Sequence, residues 1–349
     1  MSVLSSQNPF FLGHLPMFQQ IDVGKYGFNT MRMQIDNQKK KYIDFENNLN
    51  KTSYTFQEIF DTLEIIEYPL SKTYSIISHL SSVNDTDIIR DLKDSFRNEL
   101  VELNKMSSHS IKLFDAITKI NTSDPNEQRC VKLSIDAMKR GGVNLDDENK
   151  KKLTNIDKSL SEYATKLSEN ILDSTKAFKY NITDKNIMES VPLWAKELWG
   201  RDNPEDGPWI ITLNGPSINA ALQHIPDSSI RKEIYIAYIS RAENNEDLIK
   251  KIMDLKLEKS NILGFENYTA LSLSSKMADS EEMILELLNN LQEKSLPHAN
   301  NEYNEIVQYA MDNSGNNIEP WDISFWSERM REEKFKLKEE ELKPYFSLN

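Results

Sequence analysis

Apolar residues recur at helical spacing along most of the chain. Phe56, Ile59, Phe60, Leu63 and Ile66 share one helix face, and a periodicity of three and four residues marks an amphipathic α-helix. Thr55-Phe56-Gln57-Glu58 reads as the capping box that starts it, with Thr55 accepting from the first turn and Glu58 reaching back. Pro69 is expected to end or kink this helix, because it lacks an N–H and crowds the preceding turn. Ile89, Leu92, Phe96 and Leu100 mark a second helix. Asp124-Pro125-Asn126-Glu127 starts another, with Asp124 as cap and Pro125 in the first helical position. It should stop at Gly141-Gly142. Asp146-Asp147-Glu148 then places three negative charges in a first turn, where the helix dipole favours them. The cleanest stripe follows: Leu153, Ile156, Leu160, Tyr163, Leu167 and Ile171.

The period changes in the middle of the chain. Residues 177–182 alternate apolar and polar, as a half-buried strand does. Trp209-Ile210-Ile211-Thr212-Leu213 is short and β-branched, and is flanked by Pro208 and Gly215. The two are expected to pair as a small β-element around a loop, Gly200 to Pro208, rich in turn residues. Helices then resume. Ile230, Ile234, Ala237, Tyr238 and Arg241 form one face, and Leu248, Ile252, Leu255 and Ile262 the next, closed by Gly264 as a C-terminal cap. Ile284, Leu287, Leu288 and Leu291 form another helix, kinked by Pro297 before Tyr303, Ile306 and Ala310. Asn313 to Asn317 is a turn, and Pro320-Trp321-Asp322 opens a last helix through Phe325, Trp326 and Met330. No internal repeat stands at a fixed period.

Composition narrows the function classes. At 349 residues the chain suits two domains or one large one. Lys and Arg number 42 against 55 Asp and Glu, a formal net charge of −13. That balance argues against a nucleic-acid partner, which needs a basic surface, and against an anionic membrane surface. No apolar run reaches the roughly 18 residues that span a bilayer. The first residues, Met1 to Asn8, have neither a basic segment followed by an apolar one nor early arginines, so neither a secretory signal nor a transit peptide is expected. A single cysteine, Cys130, rules out an intrachain disulfide and a multi-cysteine zinc site, and suits a reducing compartment. The expected location is the cytoplasm.

Candidate chemistry is sparse. The ten glycines form no G-x-G-x-x-G and no P-loop. The five histidines, His14, His79, His109, His224 and His298, lie 65, 30, 115 and 74 residues apart. No pair stands at i, i+4, so no helix offers two imidazoles to one zinc ion. His79 falls on an apolar helix face and is read as a hydrogen-bonded core residue; the other four are read as surface or loop positions. Cys130 is read as a buried structural thiol. The acidic runs at Asp146–Glu148 and Glu339–Glu341 are read as solvated helix starts, since no calcium loop accompanies them. The residues alone describe an acidic helical protein with no visible active site.

Several strings are more specific. Arg231, Tyr235, Ala237, Tyr238, Arg241 and Ala242 stand as R-x-x-x-Y-x-A-Y-x-x-R-A. Leu263 to Tyr268 read L-G-F-E-N-Y, followed by Ser272-Leu273, Lys276-Met277-Ala278, Pro320-Trp321-Asp322 and Pro344-Tyr345-Phe346. In this order they resemble the oligopeptidase A branch of the thimet oligopeptidase family of zinc metallopeptidases. His79 to Val83 and the helix around Asp157 to Asp173 are similar to the same family's N-terminal helical domain. The resemblance runs from about residue 50 to the end and is most specific in the last 130 residues.

The resemblance implies a mainly α, multi-helix, two-lobed metallopeptidase fold, here truncated, with a small two-stranded β-element. It implies an N-terminal helical domain over residues 1–213 and the first part of a catalytic domain over 214–349. It implies hydrolysis of short peptides by a zinc ion held on an H-E-x-x-H helix, whose Glu acts as general base on the zinc-bound water. This sequence contains no H-E-x-x-H, and the family motif is expected beyond Asn349. No catalytic, cofactor-binding or metal-binding residue is therefore carried over. Zinc is expected in the full-length enzyme and none in this portion. Partners are expected to be short peptides and a separate C-terminal catalytic chain, with no nucleic acid and no membrane. The alternative is a non-catalytic helical scaffold or peptide-binding module. Gly264 is expected to cap a helix, Phe265, Tyr268 and Trp321 to pack in a core, and Arg231 and Arg241 to pair with buried carboxylates or cap carbonyls.

Overall fold

A computed structural model describes residues 8–11, 15–336, 341–342 and 345–346. The architecture is mainly α, with one small antiparallel sheet. In chain order the helices are α1 (Phe28–Asn47), α2 (Phe56–Val83), α3 (Asp87–Ser108), α4 (Ile111–Thr118), α5 (Pro125–Gly141) and α6 (Asp147–Ala177). Strand β1 (Tyr180–Ile182), α7 (Lys185–Met188), α8 (Leu193–Gly200) and strand β2 (Trp209–Ile211) follow. The rest of the chain forms α9 (Gly215–His224), α10 (Ser228–Ile239), α11 (Glu246–Ile262), α12 (Tyr268–Leu273), α13 (Glu281–Ser314) and α14 (Ile323–Phe335). No helix among the described residues is long and apolar enough to cross a membrane.

The helix starts follow their side-chain chemistry. Thr55 accepts from the Glu58 N–H, and the Glu58 carboxylate accepts from the Thr55 N–H at 2.8 Å, so the capping box forms. Asp124 accepts from the N–H groups of Asn126 and Glu127. Asp146 accepts from the Asn149 N–H at 2.8 Å at the start of α6. The stop after α5 falls at Gly142, whose φ of +95° suits glycine alone. A Cβ there would also lie 2.7 Å from Leu153 Cδ2.

Two expectations about boundaries need correction. Pro69 does not end its helix: α2 runs unbroken to Val83. The carbonyl deprived of a donor belongs to Ile65, which is exposed, so water can satisfy it. The first strand is shorter than its alternating pattern, because α6 continues through Ala177 and pairing begins only at Tyr180. Pairing itself is as expected, with Tyr180 opposite Ile211, Asn181 opposite Ile210 and Ile182 opposite Trp209.

The chain packs as two compact units, residues 1–163 with 252–275, and residues 164–251 with 276–349. In the first, α1, α2 and α3 enclose a core that includes Phe10, Met31, Ile35, Ile77, Leu92 and Phe96. A second core there joins Tyr42, Ile59, Ile66, Leu113, Ile117 and Met138. Asp157 lies between Lys105 and Lys259, 2.6 Å from each ammonium. In the second unit one core unites Ile182, Trp199, Trp209, Ile211, Ala221 and Ile234, joining the β-element to α8, α9 and α10. In that unit the apolar side chains Met283, Leu287, Leu288 and Leu291 of α13 are exposed.

Candidate functional site

The densest polar arrangement of the second unit is built where α10 meets the start of α14. Asp227 caps α10 by accepting from Ser229 and Ile230 N–H groups, which sets Arg231 in the first turn. Arg231 Nη1 donates to the carbonyls of Ile225 at 2.6 Å and Pro226 at 3.0 Å, and Nη2 donates to Asp322 Oδ1 at 2.5 Å. Burial lowers the Arg231 pKa from its ordinary value, against the opposing pull of Asp322. Its Nε is buried without a partner. Ser228 Oγ donates to the same Asp322 oxygen at 2.7 Å and accepts from Trp321 Nε1 at 3.1 Å. The guanidinium lies 4.2 Å from the Phe325 ring centre, and that of Arg329 lies 4.8 Å from the same ring, distances at which cation–π attraction operates. The Pro-Trp-Asp string thus closes a buried ion pair.

His224 ends α9 a few residues upstream. It is 3% exposed, and Trp194 meets its ring edge-on at 5.4 Å. Its Nδ1 has no hydrogen-bond partner. Burial, helped by the nearby Arg329 charge, pushes its pKa down to about 4, against the pull of Glu328. Glu328 is itself bound by Arg331 at 2.6 Å, which lowers its carboxyl pKa.

The end of the same string has a similar explanation. Arg241 Nε donates to the Tyr238 carbonyl at 2.9 Å and Nη1 to Thr175 Oγ1 at 3.0 Å, with the guanidinium 3.7 Å from the Tyr238 ring centre. Ala242 takes a left-handed φ of 57° and donates its N–H to Ser174 Oγ. Both arginines therefore do what was expected of them, one by ion pairing and one by capping. Gly264, at φ +81°, ends α11 as expected. Phe265 and Trp321 are only half-buried, and Tyr268 is exposed with Lys256 over its ring. Trp321 and Tyr268 thus meet polar partners, Ser228 and Lys256, instead of filling a core.

Two clefts accompany these groups. One, of about 510 Å³, lies in the second unit beside β2 and is bordered by Lys179, Arg201, Ile210 and Ser217. Ser217 Oγ there accepts from Trp199 Nε1 and the Thr212 N–H. The other, of about 410 Å³, lies in the first unit and includes Glu67, Tyr74 and Asn104.

The histidines correct their sequence assignments in both directions. His79 is exposed and packs against the Phe18 ring at 5.0 Å; its neighbours Ile76 and Ile77 take the core side of α2. His224, expected at the surface, is the buried one. His109 is half-buried with Nε2 2.9 Å from the Gly141 carbonyl, and His298 is exposed on α13. His14 lies outside the described residues, as do Glu339 and Glu340 of the second acidic run, Pro344 and the first seven residues. Cys130 is half-buried, not buried, on a helix whose only fully buried side chain is Met138. Among the described residues no histidine ring hydrogen-bonds a serine or cysteine, and no group of three or more His, Cys, Asp or Glu side chains could share a metal ion. The described residues do not fit a zinc site.

Periodicity could not have revealed Asp322 as the partner of Arg231, because the two stand far apart in sequence. The signals were Asp after Pro-Trp and Arg on an otherwise apolar helix face.

The comparisons with known proteins agree on one family. Residues 31–150 match the family model for the neurolysin/thimet oligopeptidase N-terminal domain, and residues 221–349 match peptidase family M3. The chain is 35% identical to organellar oligopeptidase A, chloroplastic/mitochondrial, of Arabidopsis thaliana, over 84% of this chain and 40% of that protein. It is 33% identical to a probable cytosolic oligopeptidase A of the same plant, over 84% of this chain and 45% of that one. It is 25% identical to oligopeptidase A of Escherichia coli strain K12, over 85% and 46%. The chain spans less than half the length of these relatives. With the two matches standing in order along it, the chain belongs to the thimet oligopeptidase family, peptidase family M3.

Proposed function

We propose that this chain is the N-terminal part of an oligopeptidase A-like zinc metallopeptidase that cleaves short peptides in the cytoplasm. In this reading it supplies the helical domain and the opening of the catalytic domain. The zinc ligands and the general base come from protein outside these 349 residues, in a longer chain or in a separate C-terminal one. The observation that carries the reading is the pair of family matches in order, over a chain spanning 40–46% of its relatives.

Two features support it. The sequence has no H-E-x-x-H, so it lacks the one-turn pair of imidazoles that holds the metal in such enzymes. The exposed apolar residues of α13 suit a surface that further protein covers. The Arg231–Asp322 pair has a structural role here: it fixes the start of α14 against α10.

The test is the nucleotide sequence downstream of codon 349, with reconstitution. Adding the encoded C-terminal part to the purified chain should restore chelator-sensitive cleavage of a short fluorogenic peptide. A downstream reading frame without H-E-x-x-H would sink the reading.

A further inference from the structure

We propose that the apolar stripe on the N-terminal half of α13 is the docking face for a helix of the protein that follows residue 349, laid along α13 in line with α14; this rests on the reading of the chain as the N-terminal part of a larger peptidase. Helix α13 has one buried side chain, Ala310, near its C-terminal end. Toward its N-terminus Leu287, Leu288 and Leu291 are exposed, as are Met283 and Leu285. So many water-facing apolar groups on one helix mark a surface that another element covers.

Two relationships point to the occupant. The first is phase. Leu287 and Leu291 stand eighteen residues before Glu305 and Tyr309, about five full turns of an α-helix, and α13 runs unbroken between them. Each leucine therefore lies on the same face as its distant counterpart. That face is the one α14 already covers: Lys334 Nζ lies 2.6 Å from Glu305, and Trp326 meets the Tyr309 ring at 6.2 Å. The bare stripe thus continues an existing helix–helix seam. The second is direction. As α14 advances from Trp326 to Lys334, its partners on α13 step back from Tyr309 to Glu305. The two helices are antiparallel, and α14 ends level with Glu305, pointing toward the bare stripe. Protein that continues from there reaches the leucines at a far higher effective concentration than a second copy of the chain. The relatives show how much protein that can be, since this chain spans only 40–46% of their length. The occupant is a helix with its own apolar stripe, because such a surface removes the leucines from water without stranding polar groups.

The experiment co-expresses the tagged chain with the polypeptide encoded downstream of codon 349, measures co-purification, and follows amide hydrogen exchange in the complex. Co-purification is expected, with the amides of residues 284–296 exchanging about tenfold or more slowly than in the chain alone. Leu288→Glu with Leu291→Glu should cut the co-purified amount about tenfold or more, because charges would enter an apolar contact. Circular dichroism should not change, since both positions are exposed. Leu133→Glu, at an exposed position on α5 in the other unit, should leave co-purification unchanged. Co-purification that survives the α13 changes overturns the docking face and leaves the larger reading standing. Equal losses from the α13 changes and from Leu133→Glu do the same. No co-purification with the unaltered chain overturns the larger reading, and this proposal with it. Sedimentation of the chain alone decides the remaining case: a dimer that the α13 changes make monomeric puts a second copy on the stripe and overturns the proposal.

Discussion

Arg231 and Asp322 stand 91 residues apart in sequence and 2.5 Å apart in space, with side chains 3% and 8% exposed. Two charges so far from water are stable only while each satisfies the other. Asp322→Ala leaves the Arg231 guanidinium buried with its carbonyl acceptors alone. We expect a loss of about 3–5 kcal/mol, as for other broken buried pairs, read as a fall in urea midpoint. Replacing both, Arg231→Met with Asp322→Leu, should cost much less than the two single changes added together. Additive losses would show that the pair is not coupled.

His224 gives the chain a stability that depends on pH. Its pKa falls from 6.5 when unfolded to about 4 when folded. Between those values the unfolded chain binds the proton and the folded chain does not, so stability rises with pH across that window. The contribution is complete above about pH 6.5 and is lost as pH falls toward 4, amounting to roughly 3 kcal/mol at most. His224→Leu should flatten the slope of stability against pH in that window. An unchanged slope would mean that other groups set it.

Two of the helix-ending glycines should respond differently to alanine. Both Gly142 and Gly264 have positive φ, but only at Gly142 does a Cβ meet other atoms, 2.7 Å from Leu153 and 2.9 Å from Leu145. Gly264→Ala should cost about 1–2 kcal/mol for the left-handed backbone alone. Gly142→Ala should cost more, because Leu153 is fully buried and cannot move aside. Equal melting shifts for the two variants would refute the steric part.

Asp157 stands between two lysines of its unit, and its pKa is lowered by Lys105 and Lys259 although burial opposes them. Asp157→Asn should destabilise the chain by about 2 kcal/mol, with the effect shrinking as pH falls below the ordinary carboxylate range toward the lowered native pKa. Urea titrations at pH 7 and at pH 3 compare the two.

Much of the helical framework was legible because helix starts are local. Thr55, Asp124 and Asp146 bond within three residues of themselves, so a short window of sequence contains the whole interaction. The β-element was legible for the same reason, as two short runs around one turn-rich loop. What failed was long range. The histidines were misjudged because helical phase says which residues share a face and not which face meets the core. His79 sits beside Ile76 and Ile77 in sequence yet points to solvent, while His224 is buried by Trp194, thirty residues earlier. Pro69 failed differently: the rule that proline stops a helix assumes a carbonyl with no other donor, and at the exposed Ile65 water is available.

The most direct measurement is metal content and peptidase activity of the purified 349-residue chain, made together. The account predicts no stoichiometric zinc and no hydrolysis of short fluorogenic peptides that a chelator abolishes. One zinc per chain with chelator-sensitive cleavage would contradict it, since the ligands would then have to lie within these residues.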